Sequence, residues 1–377
     1  MPYCYAPRTN LDVSPTGDIT PCCKFRVEYY SEKFNISTNT LDDYKNSKML
    51  AEVKQDFNNN SWPKGCERCR IEEENNIPSK RQLDWDRWKD NYTNYADKDG
   101  FITSSVAFGN VCNLKCITCN PNSSSRWYQE YKDIYGIATK PLRYFNETLP
   151  NKLAEIMPNL IHMDIPGGEP FLSGINEQQE LLTYYCETGK SSNITLHYTT
   201  NGVVFPGDVW WDLWKNFKEI DLQISIDGIN KRYEYIRYPA EWGVLYENTQ
   251  QYLIKEQLLD NIRLSVSHTV SAYNIFYLDE FFTWCKQIGL PKPWLGGVHT
   301  PVFMRPTVWN TKATQFICKH LAASEYNEVK EWTTLLKHVN DDEHFDMFCT
   351  RLKQHDNYRK LNFANIFEEI GCYIDGV

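Results

Sequence analysis

The 377 residues contain no apolar run near the roughly 18 that a membrane-spanning helix needs, so nothing in the sequence reads as a membrane anchor. The first residues, MPYCYAPRTN, lack both a basic segment and an apolar core, and the expectation is a soluble, cytoplasmic chain without an export signal. Positive charge is in short supply. Forty Lys and Arg stand against 49 Asp and Glu, a net charge of -9, which argues against the phosphate backbone of a nucleic acid as the main partner. Internal repeats and low-complexity tracts are also missing, which excludes a repeat array. What is present is ample material for buried cores: 41% hydrophobic and 14% aromatic residues, at a length that accommodates two domains. There are also 13 cysteines. Without an export signal, that many cysteines point to metal or redox chemistry rather than to a disulfide framework.

Residues 1–100 read as a small, separate, loop-rich module that bears cysteines. It contains one hairpin-like stretch, LDVSPTGDITPCC, in which two alternating segments flank Ser14, Pro15, Thr16 and Gly17. From about residue 101 short apolar strand-like runs alternate with longer helix-like segments. The strand candidates are ITSSVAF (102–108), LIHMDIP (160–166), ITLHYTT (194–200), EIDLQIS (219–225), IRLSVSH (262–268) and PWLGGV (293–298). Helices are expected at 248–259 and 275–287, the second with Ile275, Leu278, Phe282 and Cys285 at helical spacing. Such alternation implies parallel strands joined by right-handed crossovers. Six units predict an α/β fold, a partial (β/α)6 barrel of the TIM type over 101–305, with ligands at the C-terminal strand ends. Beyond about residue 309 the pattern is helical and charged, and residues 306–377 are expected to form a helical C-terminal tail that caps the barrel opening.

Directly after the first barrel strand comes GNVCNLKCITCNP, which places Cys112, Cys116 and Cys119 in one loop at the ligand-binding end of the sheet. Iron–sulfur clusters take cysteine thiolates, and three of these on a cube of about four irons leave one iron open to an outside ligand. An open position separates a catalytic metal from a purely structural one. A zinc site completed by a distant residue, or cysteines that lie near one another by chance, are the other readings of this spacing.

Four further constellations sit at strand ends. The second strand runs into Asp164, Ile165, Pro166, Gly167, Gly168, Glu169 and Pro170. Paired glycines there let backbone approach a ligand closely, Glu169 adds a fixed negative charge, and a turn without a ligand is the alternative. Thr200, Asn201 and Gly202 close the third strand; Ser225, Ile226, Asp227 and Gly228 close the fourth, with Arg237 following in YEYIRYP. An arginine fork suits a carboxylate, and a surface ion pair is the competing role. Ser267, His268 and Asn274 follow the fifth strand, where His268 reads as a satisfied core or loop residue.

In the N-terminal module Cys4 precedes the hairpin, Cys22 and Cys23 close it, and GCERC supplies Cys66 and Cys69. Four thiolates complete a cube with no open iron, yet they suit a tetrahedral zinc equally well. The remaining cysteines, Cys23, Cys186, Cys285, Cys318, Cys349 and Cys372, are expected to be mostly buried apolar residues.

Over about residues 101–305 the chain resembles the radical S-adenosylmethionine (SAM) superfamily, whose hallmark is Cys-x3-Cys-x2-Cys in the loop after the first strand of a partial TIM barrel. The resemblance implies that a [4Fe–4S] cluster on Cys112, Cys116 and Cys119 binds the amino and carboxylate groups of SAM at its open iron. Reductive cleavage then gives methionine and a 5′-deoxyadenosyl radical, which abstracts hydrogen from an unactivated C–H bond while the protein positions and shields the chemistry. It further implies that Gly167, Gly168 and Glu169 bond the SAM ammonium, that Ser225, Asp227 and Arg237 hold ribose hydroxyls and the methionine carboxylate, and that Ser267, His268 and Asn274 line the cavity. The chain departs from the pattern at Thr118, where the family often has an aromatic residue near the adenine.

CYAPRTNLDVSPTGDITPC resembles the opening hairpin of SPASM and twitch modules, and TLDDYKNSKML and WPKGCERCRIEEENNIPSKRQ are similar to the twitch pattern. This implies an auxiliary [4Fe–4S] cluster on Cys4, Cys22, Cys66 and Cys69, with Cys23 as substitute for Cys22. The order is unusual, since in most such relatives the module follows the barrel. Members of the family act as oxidoreductases on peptides and proteins, with an external electron donor such as flavodoxin or ferredoxin. Others dehydrogenate or epimerise small polar metabolites such as sugars or aminocyclitols, and in epimerising members a further cysteine donates a hydrogen atom. A non-catalytic metal-binding protein that uses an aromatic-rich surface is the reading from a different class. Metal counting separates the cofactor readings: two cubes predict about eight irons per chain, whereas one cube with a structural zinc predicts about four irons and one zinc.

Overall fold

Asp18 turns back onto Ser14 through a tight bend that needs Gly17 at φ 79°, a left-handed conformation that costs a glycine little. The bend joins β1 (Asn10–Val13) and β2 (Asp18–Thr20) as the expected antiparallel hairpin, and β3 (Phe34–Asn35) pairs with β2. The computed structural model describes residues 3–74, 78–95, 100–139, 153–154, 157–337 and 342–374. They divide into two compact units: Met1–Val111 with Leu142–Thr199 and Pro206–Asp221, and Cys112–Pro141 with Thr200–Phe205 and Leu222–Val377.

In the first unit the strand order is β3-β2-β1-β4-β5-β6-β7, with β4 at Thr103–Val106, β5 at His162–Ile165, β6 at Thr195–Thr200 and β7 beginning at Glu219. The pairs β1 with β4, β4 with β5 and β5 with β6 are parallel. The hairpin expected to stand apart therefore extends the sheet: Asn10–Val13 pair residue by residue with Thr103–Val106. Leu11 and Val13 join the apolar face of Val106, Met163, Ile165, Leu196 and Tyr198, all almost fully buried, and β1 covers an edge that would otherwise offer unpaired N–H and C=O groups. Helices Ile175–Glu187 and Asp208–Trp214 pack this face, where Phe171, Tyr198, Trp210 and Trp214 interlock with ring centroids 5.2–6.1 Å apart.

Much of the segment expected to be loop is helical: Leu41–Lys45, Lys48–Asn58, Glu67–Glu74 and Lys80–Tyr95. The signals were local. Thr40 and Asp43 form a capping box, Ser47 caps the next helix, and Met49, Leu50, Val53 and Phe57 bury one stripe of it.

The second unit takes up the end of β7 at Ser225 and continues with β8 (Ile262–Val270) and β9 (Trp294–Gly297), which pair in parallel. Helix Leu278–Ile288, closed by Gly289 in the left-handed region, falls close to the expected 275–287, whereas Trp242–Leu258 begins well before the expected 248. The sequence after residue 309 is helical as expected, in Thr311–Ala322, Asn327–Lys337 and Asp342–Arg359. Trp309, Phe348 and Phe363 pack with Tyr273, and Phe363 and Phe367 with Tyr235, as one aromatic core. Among the described residues no helix is long and apolar enough to cross a membrane.

One expectation needs correction. Of the six cysteines assigned to apolar burial only Cys285 is buried; Cys186, Cys318 and Cys349 are half-buried, and Cys23 and Cys372 are exposed. A single small thiol carries too little apolar area to force itself inward. The contrast between core and surface leucines is measurable: Leu196→Ala should cost about 2–5 kcal/mol in denaturant unfolding, while Leu258→Ala, at a 71% exposed position, should stay within about 0.5 kcal/mol.

Candidate functional site

The cysteine loop of the second unit is held by its own backbone. Lys115 N donates to Tyr238 O at 2.8 Å, Ile117 N to Ile236 O at 2.7 Å and Cys119 N to Cys116 O at 2.9 Å. Trp127 Nε1 donates to the Cys116 carbonyl at 3.0 Å, and Ser124 Oγ to that of Leu114. Burial pushes the thiols of Cys116 and Cys119 up to about 12, neighbouring thiols raise them further, and Arg237 opposes the rise. Cys112 is among those neighbours for both, so the three sulfurs share one environment. Thiols in such a place are ligands only when a bound cation takes the place of their protons. Cys112 Sγ also accepts from Leu114 N at 3.4 Å and from Asn201 Nδ2 at 3.9 Å, while Asn201 Nδ2 donates to Asn113 Oδ1 at 2.7 Å. An all-thiolate donor set with N–H donors on sulfur fits an iron–sulfur cluster, whose potential such bonds tune.

Ser225, Asp227, Arg237, Ser267, His268 and Asn274 converge in the same unit. Arg237 Nη2 lies 2.9 Å from Asp227 Oδ2, with the two side chains 10% and 1% exposed, so this is a buried ion pair and not a surface one. Burial alone would lower the Arg237 pKa; Asp227 and the Cys116 thiol hold it firmly cationic. Asp227 Oδ1 accepts from Thr269 N at 2.8 Å, Asn274 Nδ2 donates to the carbonyls of Asp227 and Thr269, and Ser225 Oγ meets Ser267 Oγ at 3.1 Å. His268 Nδ1 lies 2.9 Å from the Ile226 carbonyl and donates to it. Burial lowers its pKa to about 4, so the ring is neutral at pH 7 and Nε2 carries the lone pair. His268 is thus only half satisfied. Its Nε2 and Arg237 Nε are buried without hydrogen-bond partners among the described residues, one an acceptor and one a donor.

Beside the cysteine loop lies a cavity of about 420 Å³ whose lining includes Thr118, Cys119, Trp127, Tyr131, Tyr135 and Phe303. Its aromatic side chains come from residues 127–135 and from the later loop at Phe303. These residues were not singled out in the sequence, although W127, Y131 and Y135 recur at helical spacing.

In the first unit the glycine pair packs against backbone. A Cβ on Gly168 would stand 2.3 Å from the Val111 carbonyl and 2.6 Å from the Asn110 carbonyl carbon, and one on Gly167, at φ 149°, 2.8 Å from Gly109 O. Gly168 N and Glu169 N donate to Gly109 O and Val111 O. The glycines let backbone meet backbone, that of the three residues preceding Cys112. Glu169 is fully buried, and its Oε1 accepts from Phe171 N at 3.3 Å.

The auxiliary cysteines lie in this unit as well. Burial drives the thiols of Cys4, Cys22 and Cys66 upward, Cys4 to about 12. Cys22 senses Cys4 and Cys66, Cys4 senses Cys69, and Cys66 senses Cys4 and Cys69. Cys23, pushed to about 11 by burial, is surrounded instead by Lys80, Asp12, Asp164 and Asp84. Among the described residues no three His, Cys, Asp or Glu side chains close on a single metal ion.

Sequence reading missed a polar row across the sheet. In register, Asp12 faces Ser105, Ser105 faces Asp164, and Asp164 faces His197. His162 Nε2 bonds Asp164 Oδ1 at 2.9 Å and His197 Nδ1 bonds Asp221 Oδ2 at 2.8 Å. Burial lifts the Asp12 carboxyl to about 7. Burial would raise Asp164 too, but the bond from His162 and the neighbouring cations bring it down to about 2. For His197 burial would lower the pKa, and the bond to Asp221 outweighs it and raises it. Lys80 and Trp88, from Lys80–Tyr95, stand over this face, Trp88 with its ring 4.9 Å from that of His162. The signal was alternation: polar residues at i and i+2 in HMDI, TLHYTT and EIDLQIS.

Residues 4–70 match the family model of the SPASM iron–sulfur cluster-binding domain. Among curated proteins no sequence matches the chain. Solved structures that align with it include native anSMEcpe with bound AdoMet and a peptide, at 13% identity over 58% of this chain and 59% of that one, with a TM-score of 0.43. Streptococcus suis SuiB bound to S-adenosylmethionine aligns at 12% identity over 86% and 68%, with a TM-score of 0.40. TYW1 with a lysine-pyruvate adduct aligns at 17% over 60% and 74%, with a TM-score of 0.32. The chain thus spans 59% of the length of the anSMEcpe structure.

Two outcomes follow from this geometry. Gly168→Ala should lower the thermal midpoint by several degrees, because the new methyl meets fixed backbone rather than a movable side chain. Asp164 has a folded pKa of about 2 against 3.8, so its stabilising effect is present above the unfolded value and lost as pH falls through the folded one. Asp164→Asn should therefore shrink the loss of unfolding free energy between about pH 5 and about pH 2, measured in parallel denaturant titrations.

Proposed function

We propose that this chain is a radical SAM oxidoreductase, with a radical SAM core over 101–305, an auxiliary-cluster module over 1–100 and a helical extension over 306–377. The observation that carries the reading is the loop in which the half-buried Cys112, Cys116 and Cys119 share one environment with the Arg237 cation. A [4Fe–4S] cluster on these three thiolates would leave one iron for the amino and carboxylate groups of SAM and supply the electron that opens its sulfonium bond.

The chain's own residues do the rest. Arg237, held by Asp227, places a permanent positive charge near an anionic cluster, and its free Nε is the donor for a carboxylate. Ser225 and Ser267 offer hydroxyls for a ribose. The cavity beside Thr118 and Cys119 takes the adenosyl group against its aromatic wall. Gly167, Gly168 and Glu169 are carried over as ligands of the SAM ammonium on the motif alone. Four thiolates, Cys4, Cys22, Cys66 and Cys69, hold the auxiliary cluster, a reading supported by the match over residues 4–70, with zinc as the alternative occupant.

A peptide or protein is the substrate class we propose, on the resemblance of the N-terminal module to SPASM members. The electron entering the loop cluster comes from an external donor such as flavodoxin or ferredoxin. Epimerisation is a second reading, in which one of the cysteines outside the two cluster sets, Cys23 among them, would give a hydrogen atom to the substrate radical.

Reconstituted anaerobically and reduced, the wild-type chain should convert SAM to 5′-deoxyadenosine, and Cys112→Ala should abolish that conversion. Cys66→Ala should leave SAM cleavage in place and stop product formation. Absence of 5′-deoxyadenosine from the fully loaded wild type would remove the enzymatic reading, and equal loss in both variants would make the N-terminal cysteines a folding requirement.

A further inference from the structure

We propose that Arg359, at the end of the helix Asp342–Arg359, is a positioning residue that clamps the cysteine loop into the shape that holds its cluster. The inference rests on the reading of residues 112–119 as a cluster loop and concerns what keeps that loop in place. Arg359 Nη2 donates to the carbonyl of Lys115, between Cys112 and Cys116, at 2.8 Å across 244 residues of sequence. Its Nε donates to Glu130 Oε1 at 2.8 Å, and Glu130 Oε2 lies 2.7 Å from Lys115 Nζ. One guanidinium thus grips the loop twice: directly at a backbone carbonyl, and through a carboxylate that in turn holds the loop's own lysine.

The surroundings leave this group little freedom. The Glu130 and Arg359 side chains are 0% and 1% exposed. The guanidinium lies over Trp127 at 5.1 Å and over Tyr238 at 4.9 Å, and each of these rings belongs to a residue that bonds the loop backbone. One turn earlier, His355 Nδ1 reaches Glu130 Oε1 at 3.2 Å while its Nε2 meets Tyr135 Oη at 3.0 Å. Two cations against one carboxylate leave a net positive charge beside a loop that is to carry an anionic cluster. The planar fork makes both bonds at once; a lysine at the same position presents a point charge and keeps at most one of them.

The test compares full-length wild type, Arg359→Ala and Arg359→Lys by three readouts. These are the iron retained on desalting against a chelator, the electron paramagnetic resonance of the reduced protein with and without SAM, and hydrogen exchange of the loop amides before reconstitution. Arg359→Ala should weaken retention of the loop cluster about 10–100-fold, the range for outer residues that orient metal ligands. It should also speed exchange at Lys115 and Ile117 about tenfold, leaving strand β8 unchanged. Arg359→Lys should fall between. Unchanged loop exchange and iron retention in both variants overturn the clamp; where Arg359→Ala loses the protection of β8 as well, Arg359→Lys decides by the same criteria. Faster loop exchange in the variants, with no SAM-dependent change in the wild-type spectrum, supports the clamp and removes the radical SAM reading.

Discussion

Burying three thiols in one loop is tolerable only while they keep their protons or are given a cation in exchange. At Cys112, Cys116 and Cys119 the penalty for thiolate charge pushes Cys116 and Cys119 to about 12, well beyond the working range of the protein as free side chains. Every nearby feature bears on that constraint. Amide groups of Leu114 and Asn201 point at the Cys112 sulfur, and Arg237 sets a fixed positive charge beside Cys116. A metal-loaded loop would bring these into balance, because metal–thiolate bonds replace S–H bonds and the remaining negative charge faces arginine.

Polar groups elsewhere are arranged with the same economy. In the first unit the sheet turns Leu11, Val106, Met163, Leu196 and Ile220 to one side and Asp12, Ser105, Asp164, His197 and Asp221 to the other. The apolar side packs against tryptophans and tyrosines. The polar side pairs carboxylate with imidazole, so its charges are held in hydrogen bonds. In the second unit His268 and Arg237 each keep one buried polar atom without a hydrogen-bond partner among the described residues, which is where a ligand gains most by binding.

The parts legible in the sequence were those written in local chemistry. The six strands from residue 102 to 298 and the helix at 278–288 were read from periodicity, within a few residues of their ends, and the helix at 242–258 was read over its C-terminal part. Two cysteine sets were read from spacing, and a hairpin from Ser14 to Gly17. Illegible were relations between distant segments. Nothing in NLDV says that it pairs with TSSV ninety residues on, since two short strands with buried alternate residues fit many partners equally well. That Gly167 and Gly168 also sit where one strand end touches the backbone of residues 109–111 was not legible from the motif. Helices between residues 41 and 95 were passed over, although Thr40, Asp43 and Ser47 mark their starts, because low apolar content masked them.

Residue identity and spacing by themselves determined the chemistry available to this protein: which thiolates are close in sequence, which glycines end strands, and where hydrophobic period changes from two to nearly four. Tertiary structure decided which of those groups share a medium. Cys22 feels the charge of Cys4 and Cys66 while Cys23 feels that of Lys80 and Asp12, Arg237 is buried against Asp227 rather than exposed, and Arg359 reaches Lys115. The physical reason is that burial and electrostatic coupling depend on separation in space, and packing brings residues together with little regard to their distance along the chain.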